Sequence, residues 1–369
     1  MRSSHTDDVQ RVAQALTRLE LVTPQEFDAA LRFAPSACRE SGHSLLEYLV
    51  RVGLLSRFQA ERIREGAARR LVLGPYQLLA PLGRGASGMV YLARDRRTDQ
   101  PLALKLLPPS RYRDDGRTLK RFLREMAIGA EVDHPHLARC YDSGVIDDVH
   151  FIAMEFVPGC TLRQQVLSSG PLSLGRAARV FAEVADALHH IHQRGLVHRD
   201  LKPGNVMITP NRHAKILDLG FALIAGEPTP QDRAIIGGRG YVVGTMDFIA
   251  PEQVIDATRV DGRADLYSLG CSLYFSLTGQ VPFPGGTSQE KLRRHRQQQP
   301  PSISTLNPAV PPGFIKLVEQ LMAKQPEARP SHADEVRQLL LFWAGHEPEL
   351  PLDVTRHPRR LREPIDLEG

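Results

Sequence analysis

Eight consecutive residues, His198-Arg199-Asp200-Leu201-Lys202-Pro203-Gly204-Asn205, place a carboxylate, an ammonium and a carboxamide close together in the chain. Thirteen residues after Asn205 comes Asp218-Leu219-Gly220. Asp200 can accept the proton of an attacking hydroxyl. Lys202 can neutralise charge on a transferring phosphoryl group. Asn205 and Asp218 are hard oxygen ligands, suited to Mg2+ held jointly with nucleotide phosphates. The composite is long and chemically coherent, which sets coincidence aside.

Two further signals point the same way. Gly83-Arg84-Gly85-Ala86-Ser87-Gly88-Met89-Val90 is a glycine-rich run, and glycines let a backbone turn approach phosphate oxygens without Cβ clashes. A dinucleotide fingerprint is the rival reading, but it must open a helix. Here the run feeds Val90-Tyr91-Leu92-Ala93, which is strand-like, so a hairpin closing over a nucleotide fits better. Lys105 lies inside the apolar strand Leu102-Ala103-Leu104-Lys105-Leu106, where a charge costs free energy unless paired. The bland alternative is a lysine on the solvent face of an edge strand. The pairing candidate is Glu125, whose helix could bring a carboxylate to the ammonium and hold it toward the α- and β-phosphates.

The elements that must position these groups are legible from pattern. Residues 7–66 read as a small all-α module with three start signals, Thr23-Pro24-Gln25-Glu26, Ser44-Leu45-Leu46-Glu47 and Ser56-Arg57-Phe58-Gln59. In each, a hydroxyl accepts from the third helical N–H while Glu or Gln reaches back. Leu45, Leu46, Leu49 and Val50 keep helical spacing for one buried face. Residues 67–75 read as a basic linker. Strands are expected at 76–79, 90–93, 102–106 and 149–156, and helices at 117–131, 174–194, 265–278, 312–323 and 331–343. Strands first and helices later indicate an α+β architecture. Residues 344–369, rich in Pro and charge, read as a flexible tail.

Composition bounds the function. The 369 residues are 42% hydrophobic and 24% charged, which excludes a disordered, collagen-like or coiled-coil chain. A net charge of +5 does not demand nucleic acid, and 6% aromatics offer little surface for stacking bases. Only seven of the 47 basic residues are lysine, so each lysine invites inspection. Four separated cysteines without a Cys-x-x-Cys pair read as reduced thiols of a cytoplasmic chain. No run long and apolar enough to span a membrane is present, nor a secretory signal at the start. His189, His190 and His192 read as helix-surface residues rather than metal ligands, and Lys291–Arg296 as a solvated helix face.

Taken together, these motifs resemble the eukaryotic-type (Hanks-type) Ser/Thr protein kinase family in its bacterial branch, over roughly residues 74–343. The match runs in the family's order: Gly83–Val90, Lys105, Glu125, His198–Asn205, Asp218–Gly220, Ala250-Pro251-Glu252, Asp265 and Arg329. The resemblance implies a bilobal fold at 76–343, with a small antiparallel β lobe at 76–156 and a larger helical lobe at 157–343. It implies an ATP-dependent protein serine/threonine kinase, phosphorylating Ser/Thr hydroxyls of protein substrates in signal transduction and phosphorylating itself. Leu82, Gly83, Gly85, Gly88 and Val90 would cover ATP, Ala103 and Met207 would sandwich adenine, Met154 would be the gatekeeper, and Glu155 and Val157 would face adenine from the hinge. Lys105 would bind the α/β-phosphates and pair with Glu125. Asp200 would orient and deprotonate the acceptor, with Lys202 beside it, while Asn205 and Asp218 would hold Mg2+, Mn2+ being an alternative. Glu252 would pair with Arg329, and Asp265 would brace the catalytic-loop backbone.

Departures from the family pattern shape further expectations. Leu219 replaces Phe in the Asp-Phe-Gly motif, a mild change in an apolar slot. Gly129 weakens the helix that carries Glu125 by about 1 kcal/mol against Ala, and could let it swing. Pro230–Gly244 has no Ser or Thr, leaving Thr229, Tyr241 and Thr245 as the nearby hydroxyls. Activation is therefore expected from a regulatory partner or a homodimer acting through residues 7–66, not from loop phosphorylation. Neither nucleic acid nor membrane is an expected partner. Two rival readings are a non-catalytic pseudokinase scaffold, which the complete set of chemical residues argues against, and a small-molecule phosphotransferase, which Lys202 and the Glu252/Arg329 pair argue against.

Overall fold

The computed structural model describes residues 2–85, 88–111, 116–218, 223–224, 246–255 and 260–345. Leu219 and Gly220, Thr229, Tyr241, Thr245 and the stretch 230–244, and the tail from 346 lie outside the described residues. The chain divides into two units, one holding residues 1–114 and 141–156, the other 115–140 and 157–354.

In the first unit the chain opens with four helices, α1 (Arg2–Arg18), α2 (Pro24–Arg32), α3 (Gly42–Arg51) and α4 (Arg57–Arg64). Thr23 and Ser56 close full capping boxes with Glu26 and Gln59, and Pro24 occupies the first helical position, where its missing N–H leaves nothing unpaired. The third start signal is displaced. The cap of α3 is Ser41, which accepts from the Ser44 N–H; Ser44 is inside the helix and Glu47 instead faces His43. Leu16, Leu45, Leu46, Leu49, Leu55 and Leu71 make the core of this module.

The residues expected as a linker are folded. Leu71 is fully buried, and Val72–Leu73 forms strand β1. It begins a six-stranded antiparallel sheet with β2 (Tyr76–Gly85), β3 (Gly88–Asp95), β4 (Gln100–Leu107), β5 (Cys140–Ile146) and β6 (Val149–Glu155), in the order β1-β2-β3-β4-β6-β5. The β2–β3 ladder runs from Tyr76↔Asp95 to Gly85↔Gly88 with register shifts between Leu78 and Ala80 and between Pro81 and Gly83. Leu79 and Leu82 are thus the extra residues of two bulges. Gly88 has φ +158°, and a Cβ there would collide with the Leu106 carbonyl, so the hairpin requires glycine at that position.

In the second unit, α5 (Gly116–Glu131) contributes Ile128, with Val132 and Leu137 after it, to the large helical core. Residues 115–140, expected with the sheet, therefore group with the helices. Gly129 has a packing role there: a Cβ would lie 3.2 Å from that of Cys140. The core is built on the alanine-rich helix Leu174–His192 and on the helix Arg263–Thr278, of which Ala264 to Leu277 are all buried. A helix apolar on all sides belongs in a core. Its serines at 268, 272 and 276 satisfy their hydroxyls on carbonyls one turn back. Gly270 allows close approach of the helix Pro312–Leu321, because a Cβ would meet Leu321 at 2.8 Å. The last helix among the described residues is Ala333–Ala344.

Candidate active site

The segment that carries Asp200 comes after the short strand Leu196–Val197. Its backbone is anchored on a single buried carboxylate. Asp265, in the first turn of the helix Arg263–Thr278, accepts from the N–H groups of His198 and Arg199, each at 2.8 Å. His192 Nε2 lies 2.8 Å from Asp265 Oδ2, and Gln253 Nε2 donates to the Arg199 carbonyl at 3.0 Å. Burial pushes the Asp265 carboxyl up, but the His192 and Arg199 hydrogen bonds outweigh it and hold the group below the usual range. Arg199 is thereby held at φ +66°, a left-handed conformation uncommon outside glycine.

Asp200 then projects into a compact polar cluster. Its Oδ2 is 2.6 Å from Lys202 Nζ and accepts from Asn205 Nδ2 at 3.2 Å, while its carbonyl accepts from the same Nδ2 at 2.9 Å. Because Nδ2 faces Asp200, the carboxamide oxygen of Asn205 is left for another partner. Burial raises the Asp200 carboxyl above its ordinary value; Lys202 opposes that shift, and the like charge of Asp218 adds to it.

Asp218 is carried to this cluster by backbone. The Leu217 N–H donates to the Asn205 carbonyl at 2.7 Å, and the strands Val206–Ile208 and Ala214–Ile216 pair in antiparallel fashion. The strand before Asp218 is also stitched to the loop after α5: Ile216 N–H donates to the His136 carbonyl at 2.8 Å and Ala138 N–H to that of Ile216 at 2.9 Å. Asp218 itself has φ +61°. Among the described residues no group of three His, Cys, Asp or Glu could hold a metal ion alone. A cation taken by Asn205 and Asp218 would need oxygens from elsewhere, which nucleotide phosphates could supply.

The remaining predicted residues occupy defined places in their own units. In the sheet, Gly83 faces Val90 and Gly85 faces Gly88, Val90 faces Lys105, Ala103 faces Met154 and Lys105 faces Ile152. Lys105 is 2% exposed, which rules out the solvent-face alternative. Leu82 is a bulge residue, and Glu155 ends β6. In the helical unit Glu125 and Val157 are buried, and Met207 lies on the strand paired with Ala214–Ile216, opposite Lys215. Glu252 and Arg329 form the expected bidentate pair at 2.6 and 2.8 Å.

Sequence reasoning missed His192 and Gln253. His192, expected on the helix surface, is instead mostly buried against Asp265. No local pattern marks it, because its partner is 73 residues away. The basic stretch Lys291–Arg296 is likewise solvated on one side only: Lys291 pairs with Asp247 at 2.5 Å and His295 is fully buried. Among the described residues no helix is long and apolar enough to cross a membrane.

The family profile of the protein kinase domain matches residues 76–341. The chain is 33% identical over 265 residues to the serine/threonine-protein kinase PrkC of Bacillus subtilis, covering 72% of this chain and 40% of the relative. It is 36% identical over 305 residues to the serine/threonine-protein kinase PknB of Mycolicibacterium smegmatis, covering 80% and 47% respectively. It thus spans less than half the length of these relatives.

Proposed function

Because this chain belongs to the protein kinase family, whose members use ATP and a divalent metal, we propose that it transfers the γ-phosphoryl group of Mg-ATP to Ser or Thr hydroxyls of proteins. One observation carries the reading most directly: the Asp200 carboxylate, Lys202 ammonium and Asn205 carboxamide converge within 2.6–3.2 Å. Asp200 takes the acceptor's proton as the hydroxyl oxygen bonds to the γ-phosphorus and the bond to the β-phosphate oxygen breaks, releasing ADP. Its raised affinity for a proton suits that task. Lys202 is placed to neutralise the transferring group. Asn205 and Asp218 would hold Mg2+, which supplies charge neutralisation for the phosphates. By resemblance to the family, the hairpin Gly83–Val90, with Leu82, would cover the nucleotide, Lys105 and Glu125 would serve the α/β-phosphates, and Ala103, Met154, Glu155, Val157 and Met207 would serve adenine. The four free thiols support a cytoplasmic setting. A regulatory partner or second copy acting through residues 7–66 belongs to the same reading.

The test is transfer from γ-labelled ATP by the purified full chain, to itself and to a protein acceptor, with phosphoamino-acid analysis. Asp200→Asn and Lys105→Met should each lower transfer by at least about 10²–10³-fold. Asp200→Asn should do so without lowering the melting temperature, since it removes a buried charge that folding disfavours. Transfer that survives in Asp200→Asn would remove the assignment of the proton acceptor.

A further inference from the structure

The helical module is fastened to the sheet at two places, both inside one unit. At the α1–α2 corner, Arg96 donates to the carbonyls of Leu19 and Glu20, and Gln77 Nε2 donates to the Leu21 carbonyl at 3.3 Å. At the head of α4, Ser56 Oγ donates to the Leu79 carbonyl at 2.5 Å and Gln59 Nε2 to the Leu78 carbonyl at 2.9 Å. Between these two residues Phe58 sets its ring 5.8 Å from that of Tyr91 on β3.

The second attachment falls at a particular point of the sheet. Strand β1 pairs only with Tyr76 and Gln77 of β2, so among the described residues the outer edge of β2 has no strand partner from Leu78 onward. There the first bulge begins, with Leu79 as its extra residue. Bulges bend a strand and re-aim the residues beyond them, and beyond this one lies the glycine hairpin. Gly83 is roughly 13 Å of strand past Leu79, so a turn of about 10° at the bulge displaces the hairpin by about 2 Å.

The chemistry at Ser56 and Gln59 is specific to this task. Ser56 Oγ accepts from the Gln59 N–H at 3.1 Å, and Gln59 Oε1 accepts from the Ser56 N–H at 2.9 Å, which completes the capping box. The hydroxyl proton and one amide N–H are then spare, and both go to the strand. Glutamate would close the box equally well but has no N–H to give Leu78. Gln59 is 2% exposed, so losing its partner would leave a buried polar group unsatisfied.

We propose that Ser56 and Gln59 are positioning residues for nucleotide binding: by fixing the bulge carbonyls of β2 they set how the Gly83–Val90 hairpin meets the triphosphate. The inference rests on the kinase reading and assigns part of the nucleotide affinity to the helical module.

The experiment uses the full chain, a fluorescent ATP analogue for affinity, steady-state phosphate transfer for KM and kcat, and thermal melting. Gln59→Met, which conserves volume, and Ser56→Ala should each weaken nucleotide affinity about tenfold, the scale of one lost hydrogen bond. KM for ATP should rise in parallel, with kcat at saturation within about twofold of wild type. Ser56→Thr should restore affinity. Arg96→Gln loosens the other attachment and should lower the melting temperature while leaving affinity unchanged. Unchanged affinity in both Gln59→Met and Ser56→Ala, or an equal loss in Arg96→Gln, would overturn the proposal. If the wild-type chain binds no nucleotide, the kinase reading falls and this inference with it; binding that is indifferent to Ser56 and Gln59 removes this inference alone.

Discussion

In the catalytic loop, two backbone N–H groups and an imidazole converge on the buried Asp265 carboxylate, whereas the bulge before the glycine hairpin is held by neutral bonds from Ser56 and Gln59. The first arrangement is charged, interior and served by elements of one core. The second lies at a sheet edge and is served by a helix from outside the sheet. On the proposed function, the difference matches the work each segment would do. A proton acceptor acts through a field that must be aimed before the substrate arrives, so its anchor is one that cannot be exchanged for water. A cover over a nucleotide must admit and release it, and neutral hydrogen bonds, worth about 0.5–1.5 kcal/mol net, permit adjustment.

The comparison can be broken first at Asp265. Asp265→Asn leaves His192 and the two N–H groups around a neutral amide, and should cost about 3–5 kcal/mol of stability along with most phosphate transfer. Denaturant melts and initial rates measure both. Because the Asp265 carboxyl is held low in the fold, its contribution is fully present above the unfolded value near 4 and is lost as pH falls through the folded value. That acid limb should be absent from the variant. If Asp265→Asn were as mild as Gln59→Met, the contrast between the two anchors would disappear.

A second buried polar group in the helical unit sharpens the contrast. His295, packed between Tyr267 and Phe283, is pushed down to about 3 by burial, with Lys324 adding to the effect. It stays neutral in the fold while the unfolded chain takes a proton below about pH 6.5. Stability should therefore fall by about 1.4 kcal/mol per pH unit as pH drops from 6.5 toward the folded value. His295→Leu should flatten that slope in melts taken between pH 7 and pH 5. The smallest effect belongs to the helical module: Ser41→Ala should cost about 1 kcal/mol through loss of the α3 cap, and Ser44→Ala should cost less. Neither should alter nucleotide affinity, since Ser41 and Ser44 have no bond to the sheet.

What was readable in the sequence was local or chemically conspicuous. The Thr23 and Ser56 boxes are complete within four residues, and the run from His198 to Asn205 carries three functional groups in one stretch. Ser44 misled because the next suitable hydroxyl, Ser41, stands three residues earlier and both precede the same apolar face. His192 and Gln253 were invisible because their partners are fixed by tertiary packing. The basic run at 291–296 hid a buried histidine, since charge content reports an average and not a face. Strand β1 lay inside a segment whose arginines suggested a linker, although Leu71 and Leu73 supplied the apolar side. The bulges of β2 have no composition signal, because an extra strand residue looks like any other.

Arg199 and Asp218 share one peculiarity, the left-handed backbone already noted at φ +66° and +61°. Such positions cost roughly 1–3 kcal/mol for a residue with a Cβ, and glycine would relieve either. With Asp200 uncomfortable in its charged form, three neighbouring choices oppose the chain's own thermodynamic preference. Mutational drift would run downhill away from all of them. A chain rewritten with glycine at 199 and 218 and asparagine at 200 should therefore melt higher than the natural one while losing phosphate transfer.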